Sequence, residues 1–153
     1  MTYEELLKEA VQHGLDIYEM PLNTRIKGLY SDNIICINKL ISTNTEKTCI
    51  LAEELGHHFK TDGNILDQSK IENRQQENRA RSWAYEKLVP LSAFVQAHKQ
   101  GIRNRYELAD HLGVTEEFLE SSIKRYIHKY GTYVTVGTCT ITFEPLGVLE
   151  LFK

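Results

Sequence analysis

Along the opening residues, Leu6, Leu7, Ala10 and Val11 recur at spacings of three and four between polar positions. That period predicts a helix over residues 2–13, closed at Gly14. The pattern then shortens. Asp16 to Leu22 reads as a short strand broken at Pro21, and Ile26–Tyr30 and Ile34–Asn38 flank the turn-rich triplet Ser31-Asp32-Asn33. These segments predict a hairpin within a small antiparallel sheet. Thr43 stands three residues before Glu46, as in a capping box, and opens a second helix through TEKTCILAEELGHHF, ending before the turn Asp62-Gly63-Asn64.

A further helical stretch runs from Glu72 to Val89 and is stopped at Pro90, with Ala80, Trp83, Ala84 and Leu88 at buried-face spacing. Helices are expected next at about 91–100, 105–111 and 115–129. The chain closes with strands, for which Gly137-Thr138 is a two-residue hairpin turn. That turn would put Val134, Val136, Cys139 and Ile141 on one face and Tyr133, Thr135, Thr140 and Thr142 on the other. The class is α+β, mostly helical, with small antiparallel hairpins.

Composition narrows the function classes. At 153 residues, 41% hydrophobic and 25% charged, the chain has enough apolar material for a core and none of the bias of a disordered or fibrous protein. Its apolar runs are too short to span a bilayer, and the acidic start Met1-Thr2-Tyr3-Glu4-Glu5 is unlike a secretory signal, so a cytoplasmic protein without membrane contact is expected. Cys36, Cys49 and Cys139 are odd in number and far apart, which argues for buried thiols and against a disulfide framework or a cysteine zinc site. The formal charge of −3 argues against nucleic acid as a partner.

Chemistry concentrates in Ala52-Glu53-Glu54-Leu55-Gly56-His57-His58. On a helix, Glu53 and His57 lie one turn apart and project the same way, so a carboxylate and an imidazole can reach one cation. Glu54, rotated by about 100°, can address a water without being a ligand. This is the logic of H-E-x-x-H with glutamate in place of the first histidine. The neighbouring Ile50, Leu51 and Leu55 bury this helix, and a buried Glu-Glu-His-His group needs a cation or paired partners. Gly56 costs about 1 kcal/mol against alanine inside a helix, which signals a backbone or ligand close by.

A third ligand must come from elsewhere. The helix at 72–89 offers Glu72, Glu77 and Glu86. Glu77 shares a face with Ala80 and Ala84 and can point inward. It can equally sit at the surface and pair with Arg81 at i+4.

These elements resemble the ImmA/IrrE metallopeptidases of phages and mobile elements, which carry A-H-E-L-G-H-H on the active-site helix and then a helix of the form E-x-E-A-n-x-F-A-x-x-L-L-x-P. Here the first element is AEELGHH at 52–58, and the second runs without gaps from Glu77-Asn78-Arg79-Ala80 to Val89-Pro90. The resemblance covers residues 1–95 well. It implies a zincin-like core over 1–90, followed by a helical segment and terminal hairpin over 91–153. It also implies zinc-dependent cleavage of a helix-turn-helix repressor, which would derepress a phage or mobile element.

Residue by residue, Glu54 matches the general base, His57 the second histidine ligand and Glu77 the third ligand. Glu53 stands where the first histidine would be, and Arg79 where the motif's second glutamate would be. The metal set is then Glu53, His57 and Glu77, carboxylate-rich enough that Mn²⁺ is an alternative to zinc. A catalytically degenerate module that binds its partner without cleaving it is the rival expectation.

Residues 107–123 have helix-turn-helix spacing, with Ala109, Leu112, Gly113, Val114, Leu119 and Ile123 at the packing positions. The second helix opens on Thr115-Glu116-Glu117 and continues to Glu120, which puts carboxylates where phosphates would lie. A packing or protein-docking role is expected, not DNA reading. His13, His98, His111 and His128 are isolated, and His58 is expected to orient a neighbour instead of binding an ion.

Overall fold

A computed structural model describes residues 1–60 and 71–150, with side chains from 74 onward in the second stretch. The predicted turn at 62–64 and the side chain of Glu72 lie outside the described residues. The chain divides into two compact units, Met1–Ala84 and Tyr85–Lys153.

In the first unit, helix α1 (Tyr3–Gln12) is followed by strands β1 (Asp16–Met20), β2 (Gly28–Ser31) and β3 (Ile34–Asn38), then by helices α2 (Asn44–Lys60) and α3 (Ile71–Leu88), whose last turn lies past the unit boundary. Both helices are capped at their start, α2 by the predicted residue. Thr2 and Glu5 close a full capping box on α1, and the Thr43 hydroxyl accepts from the Glu46 N–H at 3.1 Å. The β2–β3 hairpin turns on Asp32 and Asn33, both with positive φ (47° and 66°), as a two-residue turn with matching twist requires.

The sheet is mixed, where the sequence suggested antiparallel pairing. β3 is central, antiparallel to β2 and parallel to β1. β3 carries the run Ile34-Ile35-Cys36-Ile37, and the middle of the sheet buries Ile35 and Ile37 completely, which an edge position would not. Asn38, at its end, is buried and its side chain ties down the β1–β2 connection. Its Oδ1 accepts from the Leu22 and Leu40 N–H groups at 3.2 and 3.0 Å, and its Nδ2 donates to the Ile26 carbonyl at 2.9 Å.

α2 and α3 approach each other at one glycine. A Cβ on Gly56 would stand 2.2 Å from the Ala80 carbonyl oxygen and 2.8 Å from its carbon. Ala80 and Ala84 are fully buried, and the Phe59 and Trp83 rings meet at 5.1 Å farther along.

The second unit holds helices α4 (Leu91–Lys99), α5 (Arg105–Leu112) and α6 (Glu116–Tyr130), then strands β4 (Tyr133–Val136), β5 (Cys139–Phe143) and β6 (Leu146–Glu150). The hairpin register is the predicted one, with Val134 opposite Ile141 and Val136 opposite Cys139. β6 adds a third antiparallel strand that the sequence reading did not single out. Pro145 and Gly147, two turn-forming residues, disguise its start. Tyr126 anchors the core, stacked on Phe143 at 6.0 Å and donating its hydroxyl to the Val89 carbonyl at 2.7 Å.

α5 and α6 form the helix-turn-helix arrangement, with Gly113 in the left-handed conformation (φ 70°) at the turn. Glu116, Glu117 and Glu120 are exposed on α6, and Glu120 pairs with Arg105 of α5. Among the described residues no helix is long and apolar enough to cross a membrane.

The Gly56 contact sets a signed expectation. Gly56→Ala gains about 1 kcal/mol of helix propensity but drives a methyl into the α3 backbone, which cannot rotate away as a side chain would. A net destabilisation of roughly 1–3 kcal/mol is expected, read as a lower urea midpoint. A raised midpoint would mean that the helices are not so close.

Candidate active site

Three of the four residues singled out in the sequence lie on α2, and the fourth comes to them from α3. The i, i+4 spacing sends Glu53 and His57 the same way, and the Gly56 approach brings α3 alongside. There His57 Nε2 lies 3.1 Å from Glu77 Oε2, with the two side chains 8% and 13% exposed. Glu77 therefore does both things that its spacing allowed. One oxygen faces His57, and the other accepts from Arg81 Nε at 3.2 Å.

Glu54 faces the sheet. Its Cγ and Oε1 occupy the space over Gly28 of β2, where an added Cβ would be 3.1 Å from each. His58 pairs with neither Glu54 nor the His57–Glu77 pair. Its Nδ1 lies 2.8 Å from the Tyr30 hydroxyl on β2, a partner that sequence spacing could not supply because it is 28 residues away. His58 also meets Phe59 edge-on at 4.9 Å.

Burial is the largest influence on the electrostatics, and neighbouring charges add to it or oppose it. Burial pushes Glu53 up, Arg81 opposes this, and Glu77 adds to it. Burial also pushes Glu54 up, to about 7, with His57 opposing and the Glu53 and Glu77 charges adding. Burial disfavours a charged His57, but the hydrogen bond and charge of Glu77, then the charges of Glu54 and Glu53, outweigh it and raise its pKa. The cluster thus holds protons tightly for want of positive charge.

The donors suit a divalent cation in chemistry, being carboxylates and an imidazole. The 3.1 Å between His57 Nε2 and Glu77 Oε2 is close to the spacing of two donors on one ion with bonds of about 2.0–2.2 Å. Among the described residues no three His, Cys, Asp or Glu side chains converge on one point. Glu53 stands in the field of both donors without closing a three-donor set.

The family model described as the IrrE N-terminal-like domain, a peptidase family, matches residues 10–124. No curated protein and no solved structure matches the chain.

The raised Glu54 pKa has a consequence for stability. A group whose pKa rises from 4.5 to about 7 on folding favours the folded state below pH 4.5, and that contribution is lost as pH rises through 7. Glu54→Gln removes the titration and keeps the shape. In cation-free protein the variant should therefore gain on wild type between pH 4.5 and 8, by roughly 1–3 kcal/mol, in urea unfolding. A stability difference independent of pH would show that Glu54 titrates alike in the folded and unfolded chains.

Proposed function

The chain belongs to the peptidase family of the IrrE N-terminal-like domain, and on that premise we propose that it is a divalent-metal-dependent endopeptidase acting on a helix-turn-helix repressor of a phage or mobile element. The observation that carries the reading is the His57–Glu77 pair, 3.1 Å apart on two helices held together at a glycine, with a carboxylate poised near neutrality one position from Glu53.

In this reading His57 and Glu77 are the preformed donors and Glu53 is the third, swinging onto the ion when it binds. The ion would be Zn²⁺ or, given two carboxylates among three ligands, Mn²⁺. It would supply Lewis acidity toward the peptide carbonyl and toward a water. Glu54 would take the proton of that water and pass it to the leaving amine, a role suited to a carboxylate titrating near 7. Arg81 would hold the second oxygen of Glu77 and so fix which one is offered to the ion.

The sheet edge supports a peptide substrate. β2 is an edge strand of its sheet. Asn38 N–H bonds the Lys27 carbonyl at 2.9 Å, so by the alternation of the register the amide groups of Gly28 and Tyr30 point away from β3. An extended segment pairing there would run past Glu54. The acidic α6, with Glu116, Glu117 and Glu120 exposed, suits a basic protein partner better than DNA.

One observation favours a second reading. Arg81 already neutralises part of Glu77, and among the described residues three donors do not converge. That combination suits a module that binds its partner without cleaving it.

Cleavage of a candidate repressor by the metal-loaded protein separates the two. Glu54→Gln should abolish cleavage while metal content changes little. Retained cleavage would move the base elsewhere, and no cleavage by wild type beside tight repressor binding would favour the binding module. Glu53 is tested by affinity. Glu53→Ala should weaken Zn²⁺ and Mn²⁺ binding by at least about tenfold, and Glu53→His should shift preference toward zinc. Equal affinities in all three proteins would remove Glu53 from the site.

A further inference from the structure

Two features of β2 meet one ridge of α2. A Cβ at Gly28 would stand 2.8 Å from Ile50 Cγ2 and 3.1 Å from Glu54 Oε1. Two residues on, Tyr30 Oη lies 2.8 Å from His58 Nδ1, with the rings edge to face at 5.6 Å. Ile50, Glu54 and His58 are successive i, i+4 positions, so they form one ridge along α2. Gly28 and Tyr30 are two apart on a strand and share a face, opposite the fully buried Ile37 and Ile35 of β3. The strand therefore lies along the ridge. Tyr30 is fastened at one end, and the missing side chain of Gly28 leaves the slot that the Glu54 carboxylate fills.

We propose that Gly28 and the Tyr30–His58 pair are positioning residues for Glu54. This rests on the reading of Glu54 as the base. A glutamate has three side-chain torsions, and a base must sit within about 2.6–3.2 Å of the proton it takes. The β2 backbone bounds the slot at Gly28, and Ile50 Cγ2 stands beside the same position. Glycine weakens a strand by roughly 0.5–1 kcal/mol relative to alanine, so a glycine at 28 is a local cost with a local purpose. A side chain there would crowd Ile50 Cγ2 at 2.8 Å and the Glu54 side chain at 3.1 Å, so the carboxylate would have to shift. The Tyr30–His58 hydrogen bond keeps the strand from lifting, which would open the slot and free the carboxylate to rotate.

The test uses three variants of the full chain. Gly28→Ala fills the slot. Gly28→Ala/Ile50→Leu removes the branch methyl that the new Cβ would also strike, so that only the conflict with Glu54 remains. Tyr30→Phe removes the hydrogen bond at nearly constant shape. The first readout is the carboxyl ¹³C resonance of Glu54 in ¹³C-glutamate-labelled protein, assigned with Glu54→Gln. The second is kcat and KM on the cleaved repressor, with cation affinity measured in parallel.

Both Gly28 variants should move the Glu54 resonance and lower kcat by about ten- to a hundredfold, with KM and cation affinity unchanged. Tyr30→Phe should move the same resonance and lower kcat by a smaller factor, about three- to tenfold. An unmoved resonance in the double variant, or in Tyr30→Phe if the double variant fails to fold, overturns the proposal and leaves Gly28 a packing residue. A moved resonance in a protein whose wild type cleaves nothing upholds the positioning and contradicts the peptidase reading.

Discussion

The contact of Gly56 with the Ala80 carbonyl is the constraint from which the site follows. A helix crossing that close is open only to a residue without a side chain, and the 2.2 Å to a would-be Cβ leaves no room for alanine. His57 is the next residue on α2, and Glu77 lies three positions before Ala80 on α3. The closeness of the backbones is thus transmitted directly to the imidazole and the carboxylate, which meet at 3.1 Å. A wider crossing would leave two half-buried polar groups on separate helices, each needing its own partner.

The second organising fact is charge. Three carboxylates and an imidazole share a poorly solvated region, with Arg81 paired to one of them. In this state the protein answers with protons, and Glu53, Glu54 and His57 all have raised pKa values. A divalent cation would answer the same deficit more strongly, and its binding would release those protons. In the proposed site metal and protons would compete, and Glu53, at the position of the motif's first histidine, would sharpen the competition by adding a negative charge. On the proposed reading, that charge would also lower the Lewis acidity a bound ion offers, which suits a slow or tightly regulated enzyme.

Much of this was legible in the sequence because local chemistry carried it. Thr43 before Glu46, Asp32-Asn33 between two apolar runs, and Gly137-Thr138 each specify a cap or turn over a few residues, and each formed. Gly56 advertised a close approach by its cost in a helix, and the family motif aligned Glu54, His57 and Glu77. What stayed hidden was set by distant partners. The parallel pairing of β1 with β3 depends on which strand the core draws to its centre, and hydrophobic alternation does not encode strand direction. Tyr30 and His58 are ordinary residues until β2 is laid along α2. The gap over Gly28 is filled from another element altogether, so Gly28 reads in sequence as no more than a small residue entering a strand. Helical spacing allows Glu77 to face either inward or toward Arg81, and one carboxylate with two oxygens does both.

The central claim is that His57 and Glu77 hold one divalent cation between α2 and α3. Calorimetric titration of chelator-stripped protein with Zn²⁺ and with Mn²⁺ tests it most directly, on wild type, His57→Ala and Glu77→Ala, in two buffers of different ionisation enthalpy. Wild type should bind one equivalent with net release of protons, and each variant should bind at least about a hundredfold more weakly. Absence of stoichiometric binding, or equal affinity in the three proteins, would contradict it.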